Sequence, residues 1–273
     1  MGQAWNDAMA LLRGNQQLVL IIAGVFFFLP NLALSLFMPE TVTAGVPEPR
    51  AGRETDMDAA MQSFTAVYSG IWWQIVLVSL LSAVGMLALL ALLTARNRPT
   101  VGEALKTGAI YLLPYVGAQI LVGLIVVLLV LVPIIAGSAA GPTAGVLIGL
   151  IAIVALLYIN TKFSLTVPVI VSEETMNPVN ALTRSWTLTK GNSVRLLLFY
   201  ALLLVAFVVV AMVIGIVGGV FALVLGTEGG LIANSIIGAA LNMAAITIFV
   251  AVLASVHRQL SAGSVTNYGE TFE

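Results

Sequence analysis

Few residues in this chain have types and positions suited to chemistry, and most of them fall in one run. Tyr158, Asn160 and Lys162 sit in "YINTKFSLTVPVIVSEE" (158–174), an unusually polar part of an apolar stretch. A cation placed there could pair with an acid such as Glu103 or Glu173, or hold a lipid phosphate. It could also extend its stem so that the ammonium reaches the headgroups. The single histidine, His257, stands beside Arg258 and reads as a solvated helix end. There is no cysteine, which excludes disulfides, iron–sulfur clusters and thiolate zinc sites. One imidazole cannot supply a paired-histidine metal centre. No Asp or Glu lies mid-way along an apolar stretch, so the carboxylate on which proton-driven pumps rely is missing. The residues therefore point to binding, and no catalytic residue, metal or cofactor is expected.

The elements that must position these residues are membrane helices. Hydrophobic residues make up 60% of the 273, charged residues 8%, and mean hydropathy is +1.09. A soluble domain carries about a quarter charged residues, so this is an integral membrane protein. The net charge of −1 gives no sign of a nucleic-acid partner. A crossing helix needs about 20 apolar residues, and six stretches qualify: about 18–38, 67–95, 109–136, 144–170, 194–225 and 231–256. They are too long for barrel strands and lack their alternation, which makes the fold all-α. The first run, Leu18 to Met38, is longer than a signal-peptide core and no A-x-A-like site follows it, so a retained helix is expected. Arg13, Arg96, Arg98, Lys106, Arg184, Lys190, Arg195 and Arg258 fall on one side of these spans. Arg50 and Arg53 fall on the other, with Glu40, Glu48, Glu54, Asp56, Asp58 and Glu228. That bias predicts a multi-pass protein of the bacterial cytoplasmic (inner) membrane with both termini cytoplasmic. Residues 259–273 read as a disordered tail.

The polar segments between spans share a design. In "NPVNALTRSWTLTKGN" (177–192), Asn177 can cap a helix, Pro178 suits its first turn, and Gly191-Asn192 stops it. At about 100° per residue, Val179, Ala181, Leu182, Ser185, Trp186, Leu188 and Thr189 share one face. This pattern predicts an amphipathic helix lying in the membrane interface. "AWNDAMALLRGN" (Ala4–Asn15) ends Arg-Gly-Asn where the later segment ends Lys-Gly-Asn. "TVGEALKTG" (Thr100–Gly108) is a third copy that opens on a Thr100/Glu103 capping box. The chain thus reads as one domain, 1–258, of three units at about 1–98, 99–176 and 177–258. Each unit is a cytoplasmic-side interfacial helix followed by a pair of transmembrane helices. Arg184, Trp186, Lys190, Arg13 and Lys106 would then lie at headgroup level, as contacts for anionic membrane lipid or a membrane-protein partner. Pro114 and Pro168 are expected to interrupt or end helices, and Asn242 to bond across helices. Gly145/Gly149 and Gly215/Gly219 have the spacing of close helix packing. The stretch from Pro39 to about Gln62 reads as a solvated linker.

Pro168, Glu173, Ala181, Leu182, Arg184, Ser185, Trp186, Lys190, Gly191 and Asn192 together form a recurring pattern. It is a proline and an acid after one span, then an A-L-x-R-S-W-like helix closing on Lys-Gly-Asn. The pattern resembles the membrane-domain family attached to some glycerophosphoryl diester phosphodiesterases, and the related YciC-like bacterial inner-membrane proteins. The resemblance implies a six-span membrane domain and does not bring an activity. In such enzymes the hydrolase is a separate soluble barrel with paired histidines and metal-binding carboxylates. The expectation is a non-enzymatic membrane protein acting in the envelope through lipid or partner contacts. The alternative is a small transporter or lipid translocator with a path near Lys162.

Overall fold

The computed structural model describes residues 2–37, 57–95 and 99–269. Most of the linker expected from Pro39, together with Arg50, Arg53, Arg96 and Arg98, lies outside the described residues. The elements run α1 (Gly2–Gly14), α2 (Gln16–Ala23), a π-helical turn (Gly24–Phe28), α3 (Leu29–Phe37) and α4 (Met57–Thr94). There follow α5 (Val101–Ala140), α6 (Pro142–Phe163), α7 (Thr166–Ser172), α8 (Pro178–Leu188) and α9 (Ser193–Gly269). Gly226, at φ 75°, breaks α9 into two helices, and Gly230 comes back against the backbone of Ala222. No strand occurs among the described residues. Among the described residues, six helical stretches are long and apolar enough to cross a membrane: Gln16–Phe37, Ser69–Thr94, Leu112–Ala140, Thr143–Ser172, Ser193–Gly226 and Glu228–Ala262. The chain is an all-helical, multi-pass membrane protein.

Local sequence explains the ends of these helices. Thr100 and Glu103 form the reciprocal capping box, with Glu103 N–H donating to Thr100 Oγ1 at 3.3 Å and Thr100 N–H to Glu103 Oε2 at 2.8 Å. These bonds hold the Glu103 carboxyl below its usual range. Asn177 Oδ1 accepts from Val179 N–H at 2.9 Å, and Pro178 fills the first turn of α8.

Three expectations need correction. Thr100–Gly108 is not a separate helix: nothing terminates it, and it continues as the first turns of α5. Pro114 sits inside that helix without ending it, whereas Pro168 does break the fourth span. The last helix runs on to Gly269, over residues read as tail. The π-helical turn at Gly24–Phe28 had no foreseen counterpart. It buries Phe27 and sets Phe26 against Gly85.

The core lies at one end of the bundle. Leu87–Leu93, Leu165–Val171 and Val250–His257 are buried on every side, and they end the second, fourth and sixth spans. A helix buried all round has protein neighbours in all directions, and α4, α7 and α9 contact one another here. Around them, pairs of small residues four apart let the surrounding helices approach: Ala4 and Ala8 on α1, Ala104 and Gly108 on α5, Ala181 and Ser185 on α8. The inner faces of α1 and α8, expected in the membrane interface, are therefore covered by protein. Away from this end, large apolar side chains such as Leu124, Ile151, Leu202 and Val224 stay exposed, as a hydrocarbon-facing surface requires.

Close contacts bear out only one of the two G-x-x-x-G pairs. A Cβ on Gly145 would stand 2.9 Å from Gly137 Cα, whereas Gly215 and Gly219 face open space among the described residues. Asn242 does bond across helices, accepting from Asn31 Nδ2 at 3.1 Å.

Two outcomes follow. A Cβ on Gly108 would meet Val84 O at 2.9 Å and Ala88 N at 3.0 Å. Gly108→Leu should cost about 1–3 kcal/mol by overpacking, while Gly102→Leu, in open space, should not lower thermal stability in detergent. The Asp7 carboxylate accepts from Gln259 Nε2 at 3.1 Å and pairs with Arg258 at 3.1 Å, which together hold its pKa below the ordinary 3.8. A depressed folded-state value stabilises above the unfolded pKa and is lost as pH falls through the folded one. Amide exchange of α1, corrected for intrinsic rate, should therefore rise below pH 3.8, and Asp7→Asn should raise it already at neutral pH.

Candidate functional site

The polar cluster forms where the fourth span breaks. Pro168 has no N–H for the carbonyl four residues back, and its ring crowds that carbonyl. The helix stops at Phe163, turns through Ser164 and Leu165, and restarts as α7. A helix end leaves carbonyls in need of donors. That of Lys162 receives Ser185 Oγ at 2.8 Å and Thr189 Oγ1 at 3.5 Å, both buried. This bond seats α8 on the broken span.

Two groups of side chains meet on that seat. Glu173 follows α7 and accepts Arg184 Nε at 3.1 Å and 2.9 Å on its two oxygens. Its Oε1 also lies 3.3 Å from His257 Nε2, so one carboxylate joins α7, α8 and the sixth span. His257 is only 5% exposed, which corrects its reading as a solvated helix end: the neighbouring core buries it and Glu173 supplies its partner. On the other side of α8, the Lys162 ammonium stands 5.1 Å from the Trp186 ring centroid and 5.6 Å from that of Tyr158. Trp186 also meets Tyr158 edge-on at 5.9 Å and Phe163 at 5.7 Å. Lys162 is 3% exposed and, among the described residues, pairs with no carboxylate.

The residues expected to act as sites thus separate. Arg184 and Trp186 come together with Glu173 and Lys162 and belong to the protein's own packing. Lys190, Arg13 and Lys106 remain exposed and do not meet. Asn160 parts from Tyr158 and Lys162. It lines a cavity of about 470 Å³ between the fourth, fifth and sixth spans, with Leu157, Thr161, Ser164, Tyr200 and Phe249. Tyr200 and Ser164 hydroxyls bond across it at 3.3 Å. A larger open cavity of about 840 Å³ lies near Asn31, Ser35 and Asn234, and Lys162 lines neither. The role of His257 was not visible beforehand. Its only signal was that the lone imidazole closes a strongly apolar run.

The acid after the prolyl break, the Arg-Ser-Trp of α8 and the Gly191 stop at φ 82° form one interlocked unit. Residues 139–262 match the family model of the membrane domain of glycerophosphoryl diester phosphodiesterase. The matched segment contains Lys162, Pro168, Glu173, all of α8 and His257, and it is a membrane domain rather than a catalytic one. Residues 1–138 lie outside it. Comparison with curated proteins and with solved structures finds no match.

Ser185→Ala would strip the buried Lys162 carbonyl of its closer side-chain donor. An unsatisfied buried group costs about 1–3 kcal/mol, so the variant should melt measurably lower in detergent. Thr187→Ala, on the exposed face of the same helix, should stay within about 0.5 kcal/mol of the parent.

Proposed function

We propose that this chain is a non-catalytic inner-membrane protein, with both termini cytoplasmic, that acts in the envelope by holding anionic lipid at its cationic end. The carrying observation is an imbalance in how charges there are used. Glu173 is taken up by Arg184 and His257, Asp7 by Arg258 and Gln259, and Glu103 by the Thr100 cap. Glu174 is the acid at that end with no such bond among the described residues. Arg13, Lys106 and Lys190, by contrast, are exposed and pair with no described carboxylate. Arg13 and Lys190 each lie five residues past a buried small-residue pair, Ala4/Ala8 and Ala181/Ser185, which supports reading those two segments as copies that present a cation in equivalent places, while Lys106 lies between Ala104 and Gly108. Arg184 leaves this set because it is committed to Glu173.

The transporter reading is less well supported. Its central residue is packed between aromatic rings and lines neither of the two cavities described above.

A cation close to anionic lipid contributes about 1 kcal/mol, or about fivefold in affinity. Arg13→Ala, Lys106→Ala and Lys190→Ala should each weaken retention of phosphatidylglycerol relative to phosphatidylcholine by about that factor. Native mass spectrometry of the protein released from mixed-lipid nanodiscs reads this directly. Unchanged retention in the triple variant would defeat the proposal.

A further inference from the structure

We infer that Lys162, Tyr158 and Trp186 form a discrete receptor for a phosphate group, the phosphodiester of a membrane lipid being the source its position favours. The inference deepens the lipid reading but stands on a different cation from the three that carry it. Lys162 is 97% removed from solvent, being 3% exposed, yet its ammonium donates no hydrogen bond to any described residue. Buried charges are ordinarily paired and hydrogen-bonded. The ring faces of Trp186 and Tyr158 offset part of the loss of water, but a ring face is not an acceptor for three N–H groups. Of the acids at that end, Glu173 is engaged by Arg184 and His257 and Glu103 by Thr100, and Glu174 forms no ion pair with Lys162 among the described residues.

The two rings carry donors of their own. Trp186 is 39% exposed and Tyr158 45% exposed, and neither the indole N–H nor the phenolic O–H bonds to a described residue. Such rings bury an apolar body and place their polar edge where the membrane meets its headgroups. The ammonium lies over the faces of both rings, whose own donors sit at the ring edges, so the cluster combines positive charge with unused donors and has no acceptor among the described residues. A phosphate supplies both the negative charge and several acceptor oxygens. A divalent cation would be repelled there. Phe163, 5.7 Å from Trp186, adds apolar surface beside the site, which suits the glycerol and first methylenes of a lipid.

The test uses the full chain in detergent, exchanged against phosphatidylglycerol, against diacylglycerol with the same acyl chains, and against inorganic phosphate alone. Native mass spectrometry should show one phosphatidylglycerol retained by the parent and by Lys162→Arg, with at least tenfold weaker retention in Lys162→Met. Diacylglycerol should not distinguish them. A phosphate-dependent rise in melting temperature, present in the parent and absent in Lys162→Met, would assign the site to free phosphate as its source. Should Lys162→Met fail to fold, Trp186→Phe keeps a ring and removes the indole donor, and it should lose retention several-fold. Parent-like phosphatidylglycerol retention without any response to phosphate, in Lys162→Met or in its stand-in, overturns the inference. That result alongside a loss in the Arg13/Lys106/Lys190 variant would leave the broader lipid reading intact, and the converse would sink that reading alone.

Discussion

A chain that crosses a membrane must satisfy its backbone polar groups from within, because hydrocarbon offers neither donor nor acceptor. In this protein the demand is sharpest at the carbonyl of Lys162, where the prolyl break ends a helix inside the folded core. Ser185 answers it with a 2.8 Å bond, and that bond fixes the register of α8 against the fourth span. The other arrangements at that end follow from the register. Trp186, one residue on, is laid beside the Lys162 ammonium, and Arg184, one residue before, is turned to Glu173. A single backbone acceptor therefore sets the positions of a buried cation, an aromatic pair and a carboxylate bridge.

The bundle is asymmetric for a related reason. Where three span ends meet, protein surrounds them on all sides, and small residues at four-residue spacing admit α1, α5 and α8 close to the backbone. Toward the other end the spans expose leucine, isoleucine and valine. Lipid is as apolar as those side chains, so burying them against one another brings little gain. Specific packing is concentrated where polar groups and tight backbone contacts make one arrangement better than its competitors.

The charges follow the same economy. Three acids at the packed end serve internal roles: one bridges Arg184 and His257, one holds α1 to the last helix, and one closes a helix cap. The cations left over are exposed at Arg13, Lys106, Lys190 and Arg195 or sheltered by rings at Lys162. The surplus is what the functional proposal rests on.

Hydropathy and run length alone located the spans, because a crossing helix is a local object whose signal is composition over about 20 residues. The caps at Thr100 and Asn177 and the stop at Gly191 were equally legible, since each depends on residues three or four apart. The motif around α8 carried the resemblance, and the family model matches that segment. Partnership was another matter. Amphipathic faces mark what α1 and α8 bury, but protein and lipid both accept an apolar face, so the pattern could not choose between them. The G-x-x-x-G spacings could not tell Gly145, which is crowded, from Gly215, which is not. His257 and Glu173 are 84 residues apart, as are no pair that a local pattern can join. Asn160 and Lys162, two residues apart, point to different neighbours because a helix turns about 200° between them. Tertiary structure alone decided which cation is paired and which is left unmatched, because that depends on the distance between side chains rather than their order along the chain.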